Sequence, residues 1–454
     1  MGLKAIKYEN DHGFENYDVV QKCSLNFFDV SANSNKFYTI EVHQNGSKIR
    51  VFTDYGRVGS SSTKQVRIAN DLSQATIEFE SIKRSKEKKG YVLIELAQST
   101  TGSSKAQELI DVTKIKDITP KKKTRKKVSK LSKEVQKFVL QIFDEAGKKL
   151  NTLVKGSANS DGASPLGKLS VAQLNKGRVI LQEIADEINY NKKTSIGNSI
   201  LSLSNEYYRQ IPKSWGRNVT PNMIAIKTLD EVNEQMDILN FYEGALSMGN
   251  IMFDDSDIDK KYESLKSDIG VLDPNSDKYK QIVNYVTSTE SKHHSVHLDV
   301  QRIFTVNQKN APKFDESFGN VKELFHGTRT ANMVSILSSS LRLPNQLKGV
   351  YITGAMFGPG LYFADQSTKS SQYSCSKFGG SVNQYDTSFM FLCDVSLGKE
   401  HVVQNSHYFY NPPTGYSSVK GEMGRNLLHN EYIVYQNTQQ AIRYIIEFKS
   451  RRRR

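Results

Sequence analysis

Hydrophobic and polar positions change character three times along the chain, and each pattern predicts a different kind of element. Between residues 36 and 58 the alternation has period two: Ile49, Val51, Thr53 and Tyr55 share one face, Arg50, Phe52 and Asp54 the other. KFYTIEVHQ and SKIRVFTDY flank Asn45-Gly46, a favoured turn pair, so the segment predicts a β-hairpin. A short helix in SQATIEFESIKR and a strand in YVLIEL complete a small α+β unit ending near residue 97. From residue 131 to about 270 the period is helical. Val135, Phe138, Val139, Ile142 and Phe143 form one stripe, and Leu174, Leu181, Ile184 and Ile188 another, opened by Ser170 and Gln173 at capping-box spacing. SIGNSILSLSNEYYRQI, TLDEVNEQMDILNFYEGAL and KKYESLKSD predict further helices, hence an all-α region. Beyond about residue 280, SFMFLCDVSLG, EYIVYQ and AIRYIIEFK read as strands. Tyr444, Ile446 and Phe448 alternate with Arg443, Ile445 and Glu447, as in a sheet partly covered on both faces, so the last region is strand-rich α+β.

Between the first two regions, AQSTTGSSKAQE and TPKKKTRKKVSK lose apolar periodicity, and residues 121–127 carry six basic side chains in seven positions. Mutual repulsion extends such a run, which reads as a flexible basic linker: a solvated tether, a nuclear-import signal or a phosphate clamp. At 454 residues there is room for two to four domains, and 37% hydrophobic residues argue against wholesale disorder. The net charge of +14 favours a polyanionic partner, nucleic acid or an anionic membrane surface, beside the plainer reading of a basic surface. Cys23, Cys375 and Cys393 form no C-x-x-C pair, which argues against a disulfide framework or structural zinc and for a reducing compartment. MGLKAIKYEN has no apolar leader core, no apolar run is long enough for a bilayer, and Ile6 stands where myristoylation of Gly2 needs Ser or Thr. A soluble intracellular protein without membrane contact is expected.

Several short motifs fail on chemical grounds. Asp255-Ser256-Asp257-Ile258-Asp259 resembles a calcium loop, but Lys260 and Lys266 occupy the positions that need Gly and Glu, leaving an acidic helix start. His293, His294 and His297 lack an accompanying cysteine or carboxylate cluster, so no metal is expected. Gly358-Pro359-Gly360 lacks the third glycine and helix start of a dinucleotide fingerprint; it predicts a tight turn delivering Tyr362 to a strand.

Three blocks, taken in order, carry more. They are Leu324-Phe325-His326-Gly327-Thr328-Arg329, the run from Gly354 to Asp365 (GAMFGPGLYFAD), and the run from Leu427 to Tyr435 (LLHNEYIVY). This set resembles the catalytic domain of the poly(ADP-ribose) polymerases, with its His-Tyr-Glu triad, and STKSSQY from Ser367 to Tyr373 matches that family's nicotinamide-stacking block. The resemblance implies NAD as substrate and no metal. Cleaving the nicotinamide–ribose bond builds positive charge on the ribose, which a nearby carboxylate stabilises. By the family pattern Glu431 does this through the 2′-hydroxyl, His326 holds the adenosine-side ribose, and Tyr362 covers one face of the nicotinamide region. Tyr373 stacks on the nicotinamide ring, Gly327 offers its backbone to the carboxamide, Ser370 adds a hydroxyl, and Lys369 lies beside Glu431.

The similarity extends upstream. Residues 131–275 look like the family's helical regulatory domain, notably Pro165-Leu166-Gly167-Lys168-Leu169-Ser170, which shields the NAD pocket until DNA docks. Residues 1–100 resemble its WGR domain, with Tyr55-Gly56-Arg57 in the namesake place; residues 101–130 are the linker and 276–454 the catalytic domain. The implied fold class is multidomain: an α+β WGR-like domain, an all-α regulatory domain and an α+β ADP-ribosyltransferase domain. Tyr55 retains an aromatic for stacking on a DNA terminus and Arg57 a charge for phosphate. The literal Trp215-Gly216-Arg217 lies in the helical region without a hairpin, and Trp215 reads as a loop aromatic packed on helices. Two features depart from the family pattern: a short connection between Gly421 and Leu427, and His429 where relatives commonly carry Tyr. The tail Arg451 to Arg454 is also unlike the family ending and reads as an additional phosphate-binding element, a localisation element, or an addition that is not native. The implied function is a nuclear, DNA-break-activated protein ADP-ribosyltransferase, mono- or poly-. Its partners are 5′-phosphorylated DNA ends, acceptors including itself and histones, and a protein that completes the acceptor site. The rival is an inactive DNA-end scaffold that keeps the fold.

Overall fold

Six antiparallel strands open the chain: β1 (Ile6–Lys7), β2 (Asp18–Asp29), β3 (Ser34–Asn45), β4 (Lys48–Arg57), β5 (Ser62–Ala69) and β6 (Val92–Ile94), in the order β1-β5-β4-β3-β2-β6. This computed structural model describes residues 2–9, 14, 17–95, 129–155, 169–190, 198–213, 215, 219–248, 257–343, 357–374, 387–405, 407–424 and 427–452. The basic linker, Pro165 to Lys168, Gly216 and Arg217 lie outside them. Helix α1 (Leu72–Glu87) starts at Asp71, whose carboxylate accepts from the Gln74 N–H, and buries Ala75 and Phe79 against Leu25, Ile40, Val42 and Val51. The β3–β4 hairpin closes one position later than the Asn-Gly pair suggests. Asn45 pairs with Lys48, so Gly46-Ser47 is the loop, with Gly46 at φ +59° in the left-handed region of a type II′ turn. The face of Arg50 and Phe52 is covered too. The Arg50 guanidinium lies 4.2 Å from the Phe14 ring centre and its Nε donates to His43 Nδ1 at 3.1 Å, while His43 Nε2 lies 2.7 Å from Glu41.

The helical region holds α2 (Lys133–Lys155), α3 (Val171–Tyr190), α4 (Asn198–Gln210), α5 (Pro221–Ile224), α6 (Leu229–Met248) and α7 (Ile258–Ser264). The α2 stripe is interior, with Val135, Phe138, Val139, Ile142 and Phe143 buried, and so is most of the α3 stripe, where Leu174, Leu181 and Ile184 are buried and Ile188 is half-buried. The capping box is only half formed. Ser170 Oγ accepts from the Gln173 N–H at 3.1 Å, but the Gln173 side chain instead accepts from Glu95 N and donates to Gln210 O. Asp257 caps α7 by accepting from the N–H groups of Asp259 and Lys260, as an acidic helix start.

The remaining elements are β7 (Ser267–Val271), α8 (Asp277–Ser288), β8 (Val296–Gln308), β9 (Val321–Gly327), α9 (Met333–Ser339), β10 (Leu361–Phe363), α10 (Ser367–Ser374), β11 (Thr387–Ser396), β12 (Glu400–Val403), β13 (Ser418–Gly421), β14 (Glu431–Val434) and β15 (Gln440–Arg452). They build a five-stranded sheet, β7-β8-β15-β11-β9, and a four-stranded sheet, β10-β14-β13-β12, in which only β12 and β13 run parallel. Ile282 and Val286 of α8 pack on the first sheet through Leu298, Ile303, Phe325, Met390 and Ile446; Phe357, Val419, Leu427 and Ile433 form the core of the second. A two-way backbone bridge between Phe325 and Ala364 joins the sheets. Of the four terminal arginines, Arg451 and Arg452 belong to this fold, pairing with His297 and Val296 in the β15–β8 ladder, and the other two lie outside the described residues.

Contacts sort the chain into two units, one of residues 1–126 with 150–243 and one of 127–149 with 244–454. The helical region is therefore shared. In the first unit α4 docks on β2, where Asn26 Nδ2 donates to the carbonyls of Tyr208 and Arg209 and Arg209 Nε donates to Phe28 O. Trp215 packs edge-on against Tyr208 of α4, ring centres 5.0 Å apart, in the packing role read from the sequence. In the second unit Phe138 of α2 meets Phe304 and Phe389 at 4.8 and 5.2 Å.

Candidate active site

The Phe325–Ala364 bridge sets the site, because it lays the end of β9, bearing His326 and Gly327, beside β10, bearing Tyr362. His326 Nδ1 lies 2.9 Å from the Tyr362 carbonyl, which only accepts, so Nδ1 carries the hydrogen. Burial lowers the imidazole pKa and favours the neutral ring, leaving Nε2 as a hydrogen-bond acceptor. The Tyr362 hydroxyl donates to Gly358 O at 2.7 Å and accepts from the Phe357 N–H at 3.1 Å, closing the turn predicted to deliver it. Burial pushes this phenol far up, so it stays protonated.

Helix α10 supplies Lys369, Ser370 and Tyr373, with Lys369 and Tyr373 four apart on one face. Its backbone presses on β9 at Gly327: a Cβ there would fall 1.8 Å from the Ser370 carbonyl oxygen. Ser370 is buried, whereas Tyr373 is 45% exposed. Glu431 opens β14, which pairs with both β10 and β13. Its Oε1 meets Lys369 Nζ at 2.5 Å, and Nζ also lies 3.5 Å from the Asn430 carbonyl. The predicted triad residues, Gly327 and the α10 residues thus belong to one local arrangement of β9, β10, α10 and β14.

Two loose ends of the sequence meet here. His429 is 8% exposed, and its Nε2 lies 3.1 Å from His294 Nε2. His294 is held in turn by Thr368 Oγ1 at 3.0 Å and Gln372 at 2.9 Å, both residues of α10. Burial first, then the neighbouring His294 and Lys369, push His429 down to about 4. His297 turns away to Glu290, at 2.9 Å. Among the described residues no group of three His, Cys, Asp or Glu side chains is placed to hold a metal. The structure adds residues to which the sequence assigned no role, namely Thr368, His294, Asp365 and Asn430. Asp365 stood inside a quoted motif, but its partners are distant in sequence.

In the first unit, Tyr55 stacks on Tyr38, ring centres 4.9 Å apart and 10° from parallel. Lys86 Nζ sits 3.9 Å from the Tyr38 ring centre and 5.8 Å from that of Tyr55. Arg57 donates to the backbone and side-chain oxygens of Asn33, and Gly56 lies opposite Phe37 in the β3–β4 ladder.

Comparison with known proteins matches these regions in order. Residues 21–98 match the WGR domain, 129–278 the regulatory domain of poly(ADP-ribose) polymerase, and 276–426 its catalytic domain. Chicken poly [ADP-ribose] polymerase 1 is 28% identical over 97% of this chain, which spans 46% of that protein's length. Human protein mono-ADP-ribosyltransferase PARP3 is 26% identical, over 96% of this chain and 88% of its own length. Human poly [ADP-ribose] polymerase 2 is 28% identical, over 96% of this chain and 80% of its own. With the three domains matched in this order, the chain belongs to the poly(ADP-ribose) polymerase family.

Proposed function

We propose that this chain is an NAD-dependent protein ADP-ribosyltransferase controlled by DNA ends. The observation that carries the reading is the Glu431 carboxylate, braced by Lys369 at 2.5 Å in the β14–α10 arrangement that also includes His326 and Tyr362. NAD is the substrate. His326 Nε2 accepts a ribose hydroxyl, Tyr373 stacks on the nicotinamide, and the Gly327 backbone with Ser370 takes the carboxamide. The C1′–nitrogen bond breaks with its electron pair leaving on nicotinamide, and an acceptor nucleophile then forms the new bond to C1′ and loses its proton. Glu431 stabilises the positive ribose and aligns that acceptor. The relatives include both a mono-ADP-ribosyltransferase and poly [ADP-ribose] polymerases by name, and the acceptors proposed are proteins, this chain included. Tyr55, Gly56 and Arg57 are the proposed DNA contacts, with 5′-phosphorylated ends as activators and the nucleus as the place of action.

Labelled NAD with nicked DNA tests the chemistry. Glu431→Gln is expected to slow transfer by about a hundredfold or more, roughly 3 kcal/mol in the barrier; unchanged product would sink the mechanism. Nicotinamide release measured with and without 5′-phosphorylated ends tests the control. Equal rates would end the regulatory reading and leave the catalytic one standing. An inactive scaffold would bind DNA with salt-dependent affinity and release no nicotinamide.

A further inference from the structure

Asp365 lies between the Phe325–Ala364 bridge and the start of α10, and the proposed chemistry gives it no part. Its Oδ2 accepts two hydrogen bonds, from Asn430 Nδ2 at 2.7 Å and from the Tyr432 hydroxyl at 3.1 Å. These donors belong to the residues immediately before and after Glu431. Along extended backbone, successive side chains point to opposite faces, so residues 430 and 432 share the side away from residue 431. The carboxylate thus grips one side of the strand while Glu431 presents on the other, to Lys369. Asn430 extends the grip, since its Oδ1 accepts from the Met423 N–H at 2.7 Å, and Lys369 Nζ reaches the Asn430 carbonyl. Burial and the nearby Asp365 charge hold the Tyr432 phenol above its ordinary range, which keeps it a donor.

Packing alone gives little reason for an acid at this position. Asp365 Oδ1 is buried and has no hydrogen-bond partner among the described residues, an arrangement that costs free energy. A group kept despite that cost, and bonded to both neighbours of one functional carboxylate, fits a device for aiming that carboxylate.

We infer that Asp365 is a positioning residue for Glu431: its carboxylate clamps Asn430 and Tyr432 and so fixes the direction of the side chain between them. The inference rests on the proposed transferase reading, in which a misplacement of about 1 Å at the reacting groups costs up to about a hundredfold in rate. In the full-length protein with broken DNA, Asp365→Ala is expected to lower kcat tenfold to a hundredfold, with KM for NAD within threefold. Asp365→Asn, which keeps one acceptor oxygen, should recover part of that loss. Because Asp365 acts through Glu431, the double variant Asp365→Ala/Glu431→Gln should be no slower than Glu431→Gln alone. A wild-type kcat in Asp365→Ala, or additive losses in the double variant, overturns the inference; so does a parallel collapse of KM and melting temperature in both Asp365 variants. Should Glu431→Gln transfer ADP-ribose at the wild-type rate, the functional reading fails by itself. The clamp is then judged from a crystal structure of Asp365→Ala: a Glu431 carboxylate more than about 1 Å from its place on Lys369 supports it, and an unmoved one overturns it.

Discussion

A Cβ on Gly327 would lie 1.8 Å from the Ser370 carbonyl oxygen and 3.1 Å from Tyr373 Cβ, closer than β9 and α10 permit. Gly327→Ala must therefore push α10 outward, and with it Lys369, Ser370 and Tyr373. The expected result is a loss of about 1–3 kcal/mol in stability and a weaker grip on an NAD analogue, read by thermal melting and by calorimetry. The sequence offers close approach of a ligand as the reason for this glycine, whereas the structure supplies a second reason inside the protein. That reason was out of sight because it depends on the backbone of a helix distant in sequence. The residues proposed for the site, His326, Tyr362 and Glu431, were legible as candidates from their motifs. Asp365 was not, since its role rests on hydrogen bonds to Asn430 and Tyr432 across the sheet.

At the scale of elements, period alone placed the α2 and α3 stripes correctly, because a helix with one buried face repeats its apolar positions. It was weaker wherever both faces are covered. β2 buries Leu25 against the α1 side and Asn26 against α4, so DVVQKCSLNFFD shows no clean alternation. Gln173 left its predicted capping role because Glu95 N and Gln210 O compete for its amide, and both arrive through tertiary packing. The helices also bury a charge. Arg178 of α3 is fully enclosed and reaches Glu243 of α6 at 2.6 Å, Asn240 at 2.9 Å and Asn175 at 2.7 Å. Arg178→Ala leaves Glu243 without its cation and is expected to cost about 3–5 kcal/mol in urea unfolding. Arg178→Met combined with Glu243→Leu should cost much less, because it removes both charges together.

Over the whole molecule, the order of three regions was readable because composition and period change at their borders. The sorting of α2 was not: Phe138 finds its partners in Phe304 and Phe389, and no local pattern encodes so distant a pairing. Family membership follows from the domain order, while the positive charge of +14 agrees with a DNA partner without identifying one. The paired imidazoles of His294 and His429 carry a last consequence, for tolerance of acid. Unfolded, His429 takes up a proton near 6.5; folded among His293, His294, Lys369 and Asp365, it resists until about 4. As pH falls through that window the unfolded chain binds a proton that the folded one refuses, so folding stability declines from about 6.5 to about 4 and is complete above it. His429→Gln should flatten that decline when melting temperature is followed against pH. In the folded protein His429 stays uncharged down to about 4, so modest acidification adds no charge at this imidazole next to His294 and Lys369.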